Sequence, residues 1–318
     1  MKIVNPQERF REKVTLTIGM FDGVHRGHQE LIRCNVENAL KINALPAVYT
    51  FVNHPVKEKK RYFINALEEK LYLFKKLGIK VVFLNELTNE FMRTNPLKFV
   101  EKELIERINT VGIVIGEDFR FGFNRKGDIY FLRKVLEPRN IIVQSIPLYL
   151  VNGEPVKSSA VAKLIKDGLI SEANEFLGYK FFLSGSVVSG KGLGRHLGFP
   201  TANLKYINGN KVLPKNGVYV TLAEIEDRFF GSVSNIGTNP TFDTDRKIKI
   251  EVHVINSGMD AYGEFMRLYF LERIREERKF SSVEELKCTV STDIEKAESY
   301  FHLRGEINPF RGWGKYEK

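Results

Sequence analysis

Apolar and polar positions in the first half of the chain alternate between two rhythms. Val14, Leu16 and Ile18 alternate with polar neighbours, and short, largely apolar runs follow at Ala47 to Val52, Val81 to Leu84, Val111 to Ile115 and Ile141 to Ile146. Between them Leu67, Leu71 and Phe74 repeat at helical spacing, as do Phe99, Leu104, Ile105 and Ile108. Strand-length runs separated by helical patterns predict strands joined by crossover helices, hence a parallel sheet with ligands at its carboxyl edge. Past about residue 180 the rhythm changes to strand-like runs broken by Gly, Pro and Asn: FFLSGSVVS, GVYVTLAEI, RFFGSVSNI, IKIEVHVI and MRLYFLERI. That pattern predicts an antiparallel barrel. A long helix closes the chain, with Ser281 and Glu284 spaced as a capping box ahead of Val283, Leu286 and Val290. SEANEFLGYK, Ser171 to Lys180, predicts a short helix leading into the linker. The expected fold class is α/β, a Rossmann-like domain over 1–180 and a barrel domain over 181–318.

Composition supports two cores and narrows the partners. The chain has 318 residues, 43% of them hydrophobic, enough for two domains. It holds no run of apolar residues long enough to cross a membrane, and MKIVNPQERFREK is charged where a signal segment is apolar, so a soluble, cytoplasmic protein is expected. Cys34 and Cys288 lie far apart with no zinc-like spacing, which predicts reduced thiols and no structural metal. The net charge of +10 is uneven: residues 1–180 hold 29 Lys+Arg against 21 Asp+Glu, and residues 181–318 hold 20 against 18. That excess suits polyphosphate ligands as well as nucleic acid, and most of it lies in ordinary helical mixtures such as LEEKLYLFKKLG.

The turn after the first long strand reads TIGMFDGVHRGH, Thr17 to His28. Where a strand becomes a helix, the first backbone N–H groups have no intrahelical partner and carry the positive end of the helix dipole. A phosphate is stabilised there. Gly23 and Gly27 remove side chains where phosphate oxygens must approach, and His25 and His28 share one helical face as neutral or protonated donors. Read from the residues alone, two satisfied histidines near a helix start remain an alternative. In the second half, Gly185 to Lys191 fits GxxxxGK, but Gly192 stands where a P-loop needs Ser or Thr, and Pro200 stops the helix that should follow. What remains is a glycine arch at 190, 192 and 194, able to wrap backbone N–H groups around phosphates, and a rigid PTAN turn.

The HxGH turn resembles the signature of the nucleotidyltransferase superfamily, and FDGVHRGHQEL closely resembles its bacterial FAD synthetase branch. TFVNHP at 50–55, GEDFRFG at 116–122 and KSSAVAK at 157–163 are similar to further segments of that family. The resemblance implies an ATP site of Gly19, Phe21, Asp22, His25, His28, Ser158 and Lys163, with Asp118, Phe119 and Phe121 on the flavin side. Some positions depart from the family form. Ala160 and Lys163 replace the Thr and Arg of SSTxxR, and Lys keeps the charge without the bidentate fork. Met20 stands where Asn is frequent, and Val52-Asn53 where an acidic residue and Pro are frequent before His54-Pro55.

Residues 185–203 resemble the riboflavin kinase signature ending in GFPTAN. That implies Thr201 and Asn203 as ligands of Mg²⁺ carried with ATP, and Gly190, Gly192, Gly194 and Arg195 about the phosphates. SNIGTNPTF at 234–242, IEVHVI at 250–255 and IREERKF at 274–280 are similar to the family's later blocks. They imply Asn235 and Arg275 at the flavin and Glu251 as catalytic base, whereas alternation alone reads Glu251 as a solvated residue on the barrel exterior. Together the motifs resemble the bifunctional riboflavin kinase and FAD synthetase family. The resemblance implies an FMN adenylyltransferase domain at 1–180 and a riboflavin kinase domain at 181–318, with riboflavin, FMN and ATP as substrates. It implies no nucleic-acid or membrane partner, and a monomer or weak oligomer. Three other readings stay open here: a kinase whose first domain only binds nucleotide, adenylylation of another phosphorylated acceptor, and a basic barrel that binds RNA.

Overall fold

The computed structural model describes residues 1–53, 62–189, 194, 198–207, 210–238, 248–256, 261–305 and 308–311. The chain divides into two compact units, Met1–Ser158 and Ser159–Trp313.

In the first unit β1 (Lys2–Val4), β2 (Phe10–Ile18), β3 (Leu45–Phe51), β4 (Val81–Asn85), β5 (Ile108–Gly116) and β6 (Ile142–Ile146) form one sheet in the order β1-β4-β3-β2-β5-β6. Every pairing in it is parallel. The connections carry α1 (Arg26–Lys41), α2 (Leu67–Lys76), α3 (Asn89–Met92), α4 (Pro96–Phe99) with a π-helical stretch Val100–Arg107, and α5 (Ile129–Leu136). In β3, six of the seven residues are buried, as a central strand covered on both faces requires. From β2 the chain first builds outward through β3 and β4, then returns to add β5 and β6 on the other side. The crevice at the carboxyl ends of β2 and β5 is therefore the switch point at which open α/β sheets bind ligands. Two details differ from the sequence pattern. Lys2–Val4 is too short to register as a periodic run, and it joins the sheet by pairing with β4. Ile108 does not continue the helix that its spacing suggests; it is fully buried and begins β5 opposite Phe10, because sheet pairing overrides the helical period.

A small hairpin, β7 (Leu150–Val151) with β8 (Glu154–Pro155), precedes α6 (Ser158–Asp167) and α7 (Ile170–Leu177). In the second unit β9 (Phe182–Val188), β10 (Ala202–Tyr206), β11 (Gly217–Ile225), β12 (Arg228–Thr238), β13 (Ile248–Val254) and β14 (Phe265–Arg275) close into a barrel in the order β10-β13-β12-β11-β14-β9. All its pairings are antiparallel, and β9 returns to β10, so no strand edge is left open. All nine residues of β11 are buried. Closure covers one face, and α8 (Val283–Arg304) packs against β11 and β12 on the other. The PTAN segment is not wholly a turn: Ala202 and Asn203 already belong to β10. The cap of α8 also lies one residue later than Ser281. Ser282 Oγ accepts from Glu285 N, and the Glu285 carboxylate folds back to take the N–H and O–H of Ser281. That register satisfies one more donor than a Ser281–Glu284 box would.

Candidate active sites

The first site is built on a strained turn. β2 ends at Ile18, and the chain passes through Phe21 (φ 50°), Gly23 (φ 81°) and Val24 (φ 38°), all in the left-handed region, before α1 begins at Arg26. For a β-branched residue such as Val24 this conformation is an outlier, and it persists only where surroundings hold it. Here they do. Thr50 Oγ1 donates to Met20 O, the backbone N–H of Ile64 to Asp22 Oδ1, Ser158 Oγ to Asp22 O, and Gln29 Nε2 to Val24 O. The result is a fixed loop at the sheet's switch point running straight into a helix N-terminus.

His25 caps that helix and His28 lies in its first turn, their rings stacked 3.7 Å apart at 19°. Phe21 is fully buried, with its ring edge-on to His28 at 5.1 Å. Burial lowers the pKa of His25 to about 4. His28 is also pushed well below the ordinary value, by burial first and then by the nearby charges of His25 and Lys70. Both rings are neutral at pH 7. Nδ1 of each is buried with no hydrogen-bond partner among the described residues, so the pair holds unused polar capacity beside the helix N-terminus.

Beside this turn a cavity of about 520 Å³ opens at the carboxyl ends of β2, β3 and β5. Gly19, Met20, Phe51, Phe119 and Phe121 line it, with Arg120 and Arg125 among its polar residues. Phe119 and Phe121 stack 5.6 Å apart, and Phe121 leans on Phe99 and Phe131. Aromatic walls with a cationic rim suit a flat ring that carries a phosphate. Asp118 is exposed and does not line this cavity, and Lys163 is exposed on α6 in the second unit. His54 and Pro55 lie outside the described residues.

The second site is one row of the barrel. Asn203 on β10 lies opposite Glu251 on β13, Glu251 opposite Asn235 on β12, Asn235 opposite Val218 on β11, and Val218 opposite Arg275 on β14. Residues directly opposite across a sheet share a face, so the register itself gathers these side chains. Glu251, Asn235, Val218 and Arg275 line a cavity of about 430 Å³, together with Thr201 and Gly194. The Lys249 ammonium pairs with Glu251 at 2.5 Å, and His253 Nδ1 donates to Pro200 O at 2.9 Å, tying β13 to the segment before Thr201. Asp293 of α8, almost fully buried, receives both Nε and Nη2 of Arg275 at 2.7–3.0 Å. A Cβ at Gly194 would meet Phe199 O at 2.3 Å, which explains a glycine there. Gly190, Gly192 and Arg195 lie outside the described residues.

Sequence reasoning passed over Lys70, Lys249 and Asp293. Lys70 looked like one more lysine of LEEKLYLFKKLG, and Asp293 like a polar position on a helix. Lys249 had a readable signal, since it precedes Glu251 by two in an alternating strand and must share its face.

Comparison with known proteins finds a family match for each unit. Residues 7–160 match the family model for FAD synthetase and residues 177–301 that for riboflavin kinase. The bifunctional riboflavin kinase/FMN adenylyltransferase of Escherichia coli K12 is 33% identical over 306 residues, covering 95% of this chain and 97% of its own. The protein of that description from Bacillus subtilis is 31% identical over 310 residues, covering 94% and 97%. A crystal structure from Streptococcus pneumoniae, described as a macrolide-efflux protein, is 28% identical with a TM-score of 0.85, covering 93% of this chain and 98% of its own. Among the described residues no helix is long and apolar enough to cross a membrane. With two family models in tandem and curated relatives matched almost end to end, the chain belongs to the bifunctional riboflavin kinase/FMN adenylyltransferase family.

Proposed function

We propose that this chain phosphorylates riboflavin to FMN in a catalytic domain at 181–318 and adenylylates FMN to FAD in a catalytic domain at 1–180. The observation that carries the first step is the barrel row, which sets Asn203, Glu251, Asn235 and Arg275 side by side. Glu251 takes the proton of the ribityl 5′-OH as that oxygen attacks the γ-phosphorus of ATP, and the γ-phosphorus–oxygen bond to ADP breaks. Asn235 and the Arg275 held by Asp293 face the flavin. Thr201 and Asn203 offer hard neutral oxygens beside a carboxylate, a donor set that fits Mg²⁺. Mg²⁺ held there with ATP would neutralise phosphate charge. Gly194, which lines the barrel cavity, leaves room for the phosphates.

In the first domain a phosphate oxygen of FMN attacks the α-phosphorus of a second ATP, and pyrophosphate leaves. The nucleophile is already an anion, so the site needs no base. Its work is positioning and charge stabilisation by the helix N-terminus, His25 and His28, with the backbone of Gly19, Phe21 and Asp22 and the side chain of Ser158 about the ATP. Phe119 and Phe121 hold the isoalloxazine, with Asp118 at the margin. Neutral histidines fit this task, because each offers one N–H to a phosphate oxygen and pyrophosphate leaves as an anion that needs no proton. Two reactions that each consume ATP suit a cytoplasmic setting.

Incubation with riboflavin, ATP and Mg²⁺, followed by chromatography of the flavins, tests the reading. The unmodified chain should yield FMN and then FAD. Glu251→Ala should lower FMN formation roughly 100-fold or more while FAD still forms from supplied FMN, and His28→Ala should do the reverse. Loss of both steps in either folded variant would overturn the assignment of one reaction to each domain.

A further inference from the structure

One buried cation of the first unit has no part in the chemistry described so far. Lys70 stands in the first turns of α2 and is 6% exposed. Its ammonium donates to Phe51 O at 2.9 Å, Met20 O at 3.2 Å and Thr50 Oγ1 at 3.3 Å. These acceptors lie where β2 and β3 deliver the chain to the strained turn. Neutral oxygens satisfy its three N–H bonds, and among the described residues no carboxylate forms an ion pair with it. Burial depresses its pKa to about 8, with the Asp22 charge opposing the fall, so the group is charged at pH 7. A charge taken out of water is costly unless an opposite charge comes near. The Asp22 carboxylate, for its part, receives the Ile64 N–H at 2.8 Å.

The surroundings point to what the cation serves. Met20 O is the first fixed point of the turn that contains Phe21, Gly23 and Val24, and Lys70 and Thr50 hold it together. Of the side chains that hold the turn by donating to its carbonyls, Lys70 is the charged one. Directly beyond the turn lie the stacked histidines and the α1 N-terminus, where a triphosphate binds in the reading above.

We propose that Lys70 is a positioning residue for adenylyl transfer: its ammonium pins the phosphate-facing turn to β3 and lends that turn a positive charge that the bound triphosphate shares with the Asp22 carboxylate. This rests on the first unit being the adenylyltransferase. The same charge faces His28 across the turn, with His25 and Asp22 as the other described titratable groups about it, and it opposes protonation of the ring.

The test uses the full chain with Lys70→Met and Lys70→Arg, assayed for FAD formation from FMN and ATP across pH. Lys70→Met should lower kcat/KM for ATP by roughly 30-fold, an effect of the size expected for losing a charged hydrogen bond that holds the turn. Its acid limb should also move up by about half a pH unit, since His28 then protonates more readily. Lys70→Arg, which keeps the charge, should recover most of the rate with the limb in its original place. FMN formation from riboflavin should be unchanged in both. If Lys70→Met leaves the first unit unfolded, judged by hydrogen exchange of β2 and β3, Lys70→Gln takes its place with the same expected limb shift. A neutral variant that adenylylates within threefold of the unmodified chain, an unmoved acid limb, or an Arg variant as impaired as the Met variant would each overturn the proposal. An unmodified chain that makes no FAD from FMN would instead defeat the adenylyltransferase reading.

Discussion

His25 and His28 illustrate how much a few closed ångströms do to an ordinary side chain. Stacked 3.7 Å apart beneath Phe21, neither ring has the water that an imidazolium needs. In the unfolded chain His25 protonates near its ordinary pKa of 6.5, in the folded protein only near pH 4. The unfolded state therefore binds the proton first, and stability is lost as pH falls through that interval. His25 alone places the loss on the order of 3 kcal/mol by pH 4. Hydrogen exchange of β2 and β3 amides should show their opening free energy dropping over this range, and His25→Gln should flatten the drop. An equal drop in the variant would mean that other groups carry it.

At the scale of elements, the pairing of α8 with β14 connects the helix to the cavity. Asp293 holds Arg275 by two forked contacts, so the helix aims the guanidinium as well as covering the barrel. Asp293→Asn should raise the KM for riboflavin about 10-fold, from one weakened charged hydrogen bond, while FAD formation from FMN stays as it was. The elements divide sharply in how far they could be read. The β-α alternation, the barrel strands and the HxGH turn follow from local period and turn chemistry, and so were legible. Asp293 is 18 residues from Arg275, and Lys70 is separated from Met20 by 50, so no window of sequence joins them. The π-helical stretch at Val100–Arg107 and the strand start at Ile108 are set by sheet packing, which a helical period cannot express. The α8 cap was misplaced by one because two serines in succession offer the same chemistry, and only the Glu285 side chain chooses between them.

Across the whole molecule, chain order and reaction order run opposite ways. The second unit makes the FMN that the first consumes, and each unit has its own core and its own cavity. FMN released by one molecule can therefore serve another. A mixture of Glu251→Ala and His28→Ala chains should convert riboflavin to FAD although neither variant does so alone. Failure of that mixture, with each single activity intact, would mean that FMN passes within one chain without release.

The barrel row carries a further consequence, for the kinds of change that descent can try. Glu251 reaches the cavity because it stands an odd number of residues after Ile250 and Ile248, whose side chains take the other face. One residue gained or lost within β13 would carry the carboxylate into the hydrocarbon interior and swing Ile250 out to the ligand. Two would keep the face but slide the carboxylate roughly 7 Å along the strand, away from Asn203 and Asn235. With Glu251 as the proposed base, either change should leave a chain with its motif letters in place and its kinase activity lost. Length within this strand should thus be held more tightly than spelling, with variation in length expected in the loops, where an added residue shifts no rung.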